Sequence, residues 1–222
     1  ITKRFYNSLS KSCVAQGKTS DCRDKVLISY VESWTAMEMI QYKMIGENIA
    51  YTKLPKEIVK ELTGWKKECD KIKKHPLSYL KLHENFGSKT NNYQVSIPSK
   101  LIEDSYWLPF VLRLCSILTK EPHRNFFIRK WNGHFDGYDV WINYSYKNNS
   151  NPEHAHAGCF SGVIYLNNKK DKTIFTKEKV NFVGKKGDMI IFPSTVLHKV
   201  NKQKEKYERI TFAFNINRQL WK

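Results

Sequence analysis

The feature that most constrains this chain is a change of hydrophobic period near residue 125. Before that point apolar residues recur at three- and four-residue intervals; after it they alternate in short runs between turn residues. Leu27, Tyr30, Val31, Trp34, Met37, Ile40 and Met44 predict a helix between Asp24 and Ile45, ended by Gly46. Ile49 to Thr52 reads as a short strand. Pro55, suited to a first helical turn, opens a second helix with the stripe Ile58, Leu62, Trp65, Cys69 and Ile72. Its other face carries Lys56, Lys60, Lys66, Lys67, Lys71, Lys73 and Lys74, read as a solvated face, and Pro76 stops it. His83 to Ser96 is polar and Asn-rich and is expected to be loop. A third helix is expected from Ser99 towards Thr119, bent or restarted at Pro109, with Phe110, Leu112, Leu114, Ile117 and Leu118 buried.

Beyond residue 125 come the strand-like runs Phe126–Trp131, Val140–Tyr146, Gly162–Leu166, Thr173–Phe175, Val180–Phe182, Met189–Phe192 and Ile210–Phe214. Their spacing and intervening turns predict a small all-β sandwich or barrel. No Gly/Ser/Pro linker marks the change of period. A single domain over 1–222 is therefore expected, with a mainly helical N-terminal layer at 1–124 and a β core at 125–222.

The 222 residues carry 38 Lys+Arg against 21 Asp+Glu, a formal charge of +17, which suggests polyanionic partners. Arginine supplies only 7 of those cations, although it is the side chain that grips phosphate and guanine in bidentate fashion. With 41% hydrophobic and 14% aromatic residues, a disordered polybasic tail is excluded. No run approaches 18 apolar residues, so no membrane-spanning helix is expected. Ile1 to Phe5 lack the apolar run of a secretory signal. Cys13, Cys22, Cys69, Cys115 and Cys159 show no C-x-x-C spacing, which favours reduced, mostly buried thiols and a cytoplasmic setting.

Chemistry concentrates in the β half. His154 and His156 lie two residues apart, a spacing that puts both on one face of a strand and within reach of one metal ion. His198 follows the apolar run Met189–Phe192 and the turn Pro193-Ser194, where a rolled sheet can bring it to the same place. Histidines in the core or at the surface are the alternative. Arg209 opens the apolar run Ile210–Phe214, and a buried guanidinium needs an anion. Asp188 or Glu208 could supply one, and a bound dicarboxylate would also satisfy it in bidentate fashion.

These segments, in this order, resemble the core of the 2-oxoglutarate- and Fe(II)-dependent dioxygenases, most of all their prolyl-hydroxylase-like branch with bacterial and phage members. The resemblance rests on Trp141–Tyr144, His154-Ala155-His156, Ser161–Asn167, Gly187–Ser194, His198 and Arg209–Ile216. It covers about residues 139–217; none is found for 1–120. It implies a mainly β fold with flanking α-helices. That fold is a double-stranded β-helix (jelly roll, cupin-like) as catalytic core, with the N-terminal helices packed on it.

Fe(II), 2-oxoglutarate and O2 are the implied cofactors and co-substrates, with ascorbate a candidate reductant. The implied reaction hydroxylates an unactivated C–H, with 2-oxoglutarate decarboxylated to succinate. By resemblance His154 and His198 match iron-binding histidines, and His156 stands where the family places a carboxylate. Arg209 matches the residue gripping the distal carboxylate of 2-oxoglutarate, and Tyr165 one that assists it. Tyr144, with Asn143 as rival, resembles a residue reaching the co-substrate's other end.

A carboxylate replaced by imidazole leaves the metal site more positive, which favours a dianionic co-substrate and also suits zinc. A distant carboxylate, or an open position, is the alternative to His156. Glu153 adjoins His154 but points to the opposite face of a regular strand. Ile164, Ile191 and Phe212 are candidate lining residues, with core packing the competing reading. The loops Asn132–Gly137 and Lys147–Glu153 could be lids or ordinary turns.

The implied substrate is a peptidyl proline or another protein side chain, in a bacterium or a phage-infected host cell. A nucleic-acid-oxidising enzyme on the same scaffold fits the basic charge. However, Arg218 lies nine residues beyond Arg209, not at the spacing such enzymes use for a second arginine. A non-enzymatic metal-binding jelly roll or basic nucleic-acid-binding module is the third reading. In that case Arg209 would pair with a protein carboxylate.

Overall fold

The computed structural model describes residues 40–73, 93–131, 137–168, 170–204 and 206–219. Most of the first expected helix, Cys13, Cys22, Pro76, most of the 83–96 segment and loop residues 132–136 lie outside them. Chain contacts separate Ile1–Ile40 from Gln41–Lys222, and every element given below lies in the second unit.

Strands β1 (Tyr42–Met44) and β2 (Ala50–Lys53) form a hairpin, closed by Ile45 N–H donating to Ile49 O at 2.9 Å. The expected helix therefore does not reach Ile45. Apolar spacing there is compatible with either state, and pairing with β2 decides it.

Helix α1 (Lys56–Lys73) begins just after Pro55. Ile58, Leu62, Trp65 and Cys69 are buried along one stripe, as expected, while Lys56, Lys60, Lys67 and Lys71 are exposed. Strand β3 (Tyr93–Pro98) occupies the end of the expected loop. Val95 and Ile97 alternate into the core there, and the strand pairs with β6 (Gly137–Ser145).

The third expected helix is two helices, α2 (Ser99–Glu103) and α3 (Trp107–Thr119). The break precedes Pro109, which sits in the first turn of α3, where its missing N–H removes no intrahelical bond. Glu61 from α1 accepts the orphan N–H groups of Tyr106 and Trp107, both at 3.0 Å. Desolvation raises the pKa of its carboxyl despite those two bonds.

Short strands β4 (Phe126–Phe127) and β5 (Lys130–Trp131) lead to β6. The remaining strands are β7 (Asn151–His154), β8 (Phe160–Tyr165), β9 (Thr173–Phe175), β10 (Val180–Phe182), β11 (Asp188–Pro193), β12 (His198–Val200) and β13 (Arg209–Arg218). Among the described residues the major antiparallel sheet runs β1-β2-β11-β8-β13-β6-β3, and a minor one runs β10-β9-β12-β7. From β6 to β13 the chain crosses between the two sheets at every step except the β9–β10 hairpin, the winding of a double-stranded β-helix. Strands ahead of residue 125 extend the major sheet, so the N-terminal layer supplies strands as well as helices.

Strand parity gives the major sheet two different faces. Ile142, Ile164, Phe212 and Phe214 share one ladder face, and there Trp107 lies 5.1 Å from Phe212 and 5.1 Å from Phe214 between ring centroids. Trp65 of α1 adds a contact at 5.6 Å to Phe212. Gly162 stands opposite Phe214, and a Cβ there would come within 2.1 Å of that ring. Ile164, Ile191 and Phe212 thus pack toward the helical layer and do not line the site, because their parity is opposite to that of Arg209. The other face, carrying Trp141, Asn143, Ser161, Tyr165, Phe192 and Arg209, looks toward the minor sheet. The buried thiols Cys69 and Cys115 are free, and burial pushes that of Cys69 up to about 12.

Candidate active site

His154 ends β7 and His198 opens β12, and the two are direct antiparallel partners. Their ring centroids are 4.3 Å apart. His156 sits two residues past the strand, in the β7–β8 loop, yet its ring returns to within 4.8 Å of His154 and 5.2 Å of His198. The candidate ligand atoms all lie within 4.8 Å of one another. Small side-chain rotations would bring them to the ~2.1 Å of a metal–imidazole bond. Among the described residues no carboxylate joins the cluster. Glu153 points away, as its strand position predicts, and accepts a hydrogen bond from Thr176 Oγ1.

Two of the rings are oriented by their own loops. His154 Nδ1 lies 2.7 Å from Pro152 O and His198 Nδ1 lies 3.0 Å from Val196 O. A carbonyl only accepts, so each Nδ1 carries the proton and each Nε2 keeps its lone pair; that of His154 lies 3.5 Å from Asn151 Nδ2. His156 is held through its backbone, whose N–H donates to Ser194 O at 2.8 Å. The same loop is tied further by Ser194 N–H to Cys159 O at 3.1 Å and Cys159 N–H to Ile216 O at 2.8 Å. Behind it Ser161 Oγ lies 2.9 Å from Ser194 Oγ and 2.7 Å from Asn215 Oδ1, and Asn215 in turn bonds buried Asp139.

Burial, reinforced by the neighbouring imidazoles, pushes His156 down to about 3 and His198 down to about 4; burial also lowers His154. All three are therefore neutral at ordinary pH, the state that binds metal.

Arg209, the first residue of β13, is 4% exposed. Its Nη2 donates to Thr173 Oγ1 at 3.1 Å, and its guanidinium lies 5.3 Å from the Tyr165 ring centroid. Thr173 Oγ1 is also 2.6 Å from Tyr165 Oη. No ion pair joins Arg209 to a carboxylate among the described residues. Asp188, one candidate, is bound to Lys53 Nζ at 2.8 Å and to Tyr51 Oη at 3.2 Å. Thr173 and Phe175 are two residues apart on β9, about 7 Å. One touches Arg209 and the other stands opposite His198, so arginine and histidines share one interior.

Asn143 and Trp141 lie on this inner face. Trp141 is 5.9 Å from the His156 ring and donates Nε1–H to Asn143 Oδ1 at 3.2 Å. Asn143 also accepts from Gln94 Nε2 at 2.8 Å. Tyr144 has the opposite parity. It is buried toward α1, where its hydroxyl donates to Asp70 Oδ1 at 2.9 Å. The expected co-substrate role of Tyr144 is thus corrected: its hydroxyl is on the wrong side of the sheet, and its rival Asn143 faces the interior.

Sequence reasoning missed Thr173, Trp141 and the Ser161–Ser194–Asn215 cluster. The alternation Trp141-x-Asn143-x-Ser145 was the available signal for the first strand; Thr173 and Ser194 carried none, since only the folded register brings them in.

A family model for 2OG-Fe(II) oxygenases matches residues 168–215, a stretch that contains both His198 and Arg209. Over that stretch the chain resembles the 2OG-Fe(II) oxygenases. The match stops short of His154 and His156, which the geometry adds. No curated protein matches the chain.

The oxygenase fold is shared with a prolyl-4-hydroxylase from Pseudomonas putida, at TM-score 0.55 and 13% identity over 86% of this chain and 97% of that one. It is also shared with HygX from Streptomyces hygroscopicus, solved with nickel and 2-oxoglutarate bound. There the TM-score is 0.51 and identity 7%, over 78% of this chain and 84% of that one. No helix among the described residues is long and apolar enough to cross a membrane.

Proposed function

We propose that this chain is a 2OG-Fe(II) oxygenase that holds Fe(II) on His154, His156 and His198, binds 2-oxoglutarate through Arg209, and hydroxylates an unactivated C–H. The favoured substrate is a peptidyl proline or another protein side chain. One observation carries the reading: a buried arginine, unpaired with any described carboxylate, opens into the same interior as three neutral, converging imidazoles.

The residues fit both groups. Three imidazoles leave the full positive charge of the metal in place, and Arg209 adds another, so a dianionic co-substrate is electrostatically matched. Bound iron would supply the activation of oxygen that side chains cannot.

The chain's own residues do the positioning. Arg209 and Thr173 hold a carboxylate, and Tyr165 packs against the guanidinium face. Asn143, fixed by Gln94 and Trp141, presents its amide to the interior. Phe175 and Phe192 wall the pocket next to His198 and keep water away.

The fold likeness to a prolyl-4-hydroxylase favours a proline-containing peptide, by analogy of scaffold alone. The test is incubation of proline-containing peptides and, in parallel, single-stranded oligonucleotides with enzyme, iron and 2-oxoglutarate. Succinate formation together with a peptide heavier by one oxygen atom supports the reading. An oxidised oligonucleotide with unchanged peptides would replace the substrate class, and no succinate with any substrate would overturn it.

A further inference from the structure

Three buried polar side chains at one end of β13 retain unspent hydrogen-bonding capacity among the described residues. Arg209 uses Nη2 on Thr173 but leaves Nε without a partner. Ser145, 1% exposed, is its direct partner across the β6–β13 ladder and so shares its face, and Ser145 Oγ is unpaired. Gln203, also 1% exposed, has neither Oε1 nor Nε2 paired.

Gln203 is fixed by its backbone. Its N–H donates to Asn149 O at 2.8 Å, and its carbonyl accepts from Asn148 N at 3.0 Å, in the turn that leaves β6 just after Ser145. The β12–β13 connection thus anchors Gln203 where β6 ends and β13 begins. Leaving a buried polar group unpaired is costly, so three gathered at one end of the fold point to a ligand.

We propose that Ser145 and Gln203 complete, with Arg209 and Thr173, a buried cradle for one carboxylate group. The inference rests on the proposed function, which makes that group the distal carboxylate of 2-oxoglutarate. Arg209 supplies the charge through Nε–H. Ser145 Oγ–H and Gln203 Nε2–H supply neutral donors that fix the carboxylate plane and set how long a 2-oxo acid the pocket accepts. Two neutral donors beside one cation also leave the cradle with a single positive charge, matched to one carboxylate.

The test is anaerobic titration of the iron-loaded protein with 2-oxoglutarate and with pyruvate, a 2-oxo acid that lacks the distal carboxylate. Ser145→Ala and Gln203→Leu are each expected to weaken 2-oxoglutarate binding about tenfold and to leave pyruvate binding unchanged. Gln203→Glu keeps the shape but opposes a carboxylate, and is expected to weaken 2-oxoglutarate further. Ligand-free Gln203→Leu should melt no lower than wild type, because it removes an unpaired buried amide. Wild-type affinity for 2-oxoglutarate in both Ser145→Ala and Gln203→Glu would overturn the cradle while leaving the proposed function standing. Failure of the wild-type protein to bind 2-oxoglutarate would instead overturn the proposed function, and the cradle with it.

Discussion

His154 and His198 face each other across the β7–β12 ladder with ring centroids 4.3 Å apart, and neither imidazole can take a proton without charging a buried cluster. An unfolded imidazole takes up its proton near pH 6.5, whereas folded His198 resists to about 4 and His156 to about 3. Between those limits the unfolded chain binds more protons. The stability of the metal-free protein is therefore full above about pH 6.5 and falls as the pH drops toward 4. Urea unfolding from pH 6.5 to 4 should show a steeper loss of stability in wild type than in His156→Asn. Equal slopes would mean that His156 is not buried in its neutral form.

His156 is placed by its loop, not by a strand, and the loop is braced by Ser194, Ser161 and Asn215. Such supporting contacts typically change metal affinity by about 10- to 100-fold. Ser161→Ala should therefore weaken metal binding about tenfold in a competition assay, with little change in far-UV circular dichroism. Unchanged metal affinity would show that the brace serves folding alone.

Neighbouring Asn143 and Tyr144 should separate cleanly, because they project from opposite faces of β6. Tyr144→Phe removes the bond to Asp70 and should cost roughly 1–2 kcal/mol of stability while leaving 2-oxoglutarate affinity intact. Asn143→Ala should do the reverse, lowering co-substrate affinity with little loss of stability. Calorimetric binding and denaturant unfolding on the two variants check both halves.

Gly162 tests the packing of the sheet against α3. Its missing side chain is the space that Phe214 fills, and that ring is itself packed edge-on against Trp107 at 5.1 Å. Gly162→Ala should destabilise the fold by about 1–3 kcal/mol, read as a lower denaturation midpoint, since the added methyl must displace a fully buried ring.

Much of this architecture was legible as period and order. The stripe Ile58-Leu62-Trp65-Cys69 announced α1, and the short runs after residue 125 announced the two sheets. His154, His156, His198 and Arg209 were marked by residue type, because histidines at metal spacing and an arginine within an apolar run demand partners. Face was less legible. Tyr144 was misassigned, and Phe212 stayed open between lining and core, because the direction of a buried strand's side chains depends on which sheet face the helices cover, a tertiary fact. β1 read as helix and β3 as loop, since single edge strands are stabilised by their partners more than by their own pattern. Thr173, Ser194 and Gln203 left no trace in the pattern, being brought to the site by register and connection alone.

The central claim is that one interior holds both a metal on three histidines and an anion on Arg209. Its most direct test is anaerobic addition of Fe(II) and then 2-oxoglutarate, followed by visible spectroscopy and thermal melting. The expected result is a weak visible charge-transfer band and a melting temperature raised by several degrees. Both should be lost in His198→Ala, and the 2-oxoglutarate-dependent part should be lost in Arg209→Ala. No band and no shift in wild type, or undiminished co-substrate binding in Arg209→Ala, would contradict the account.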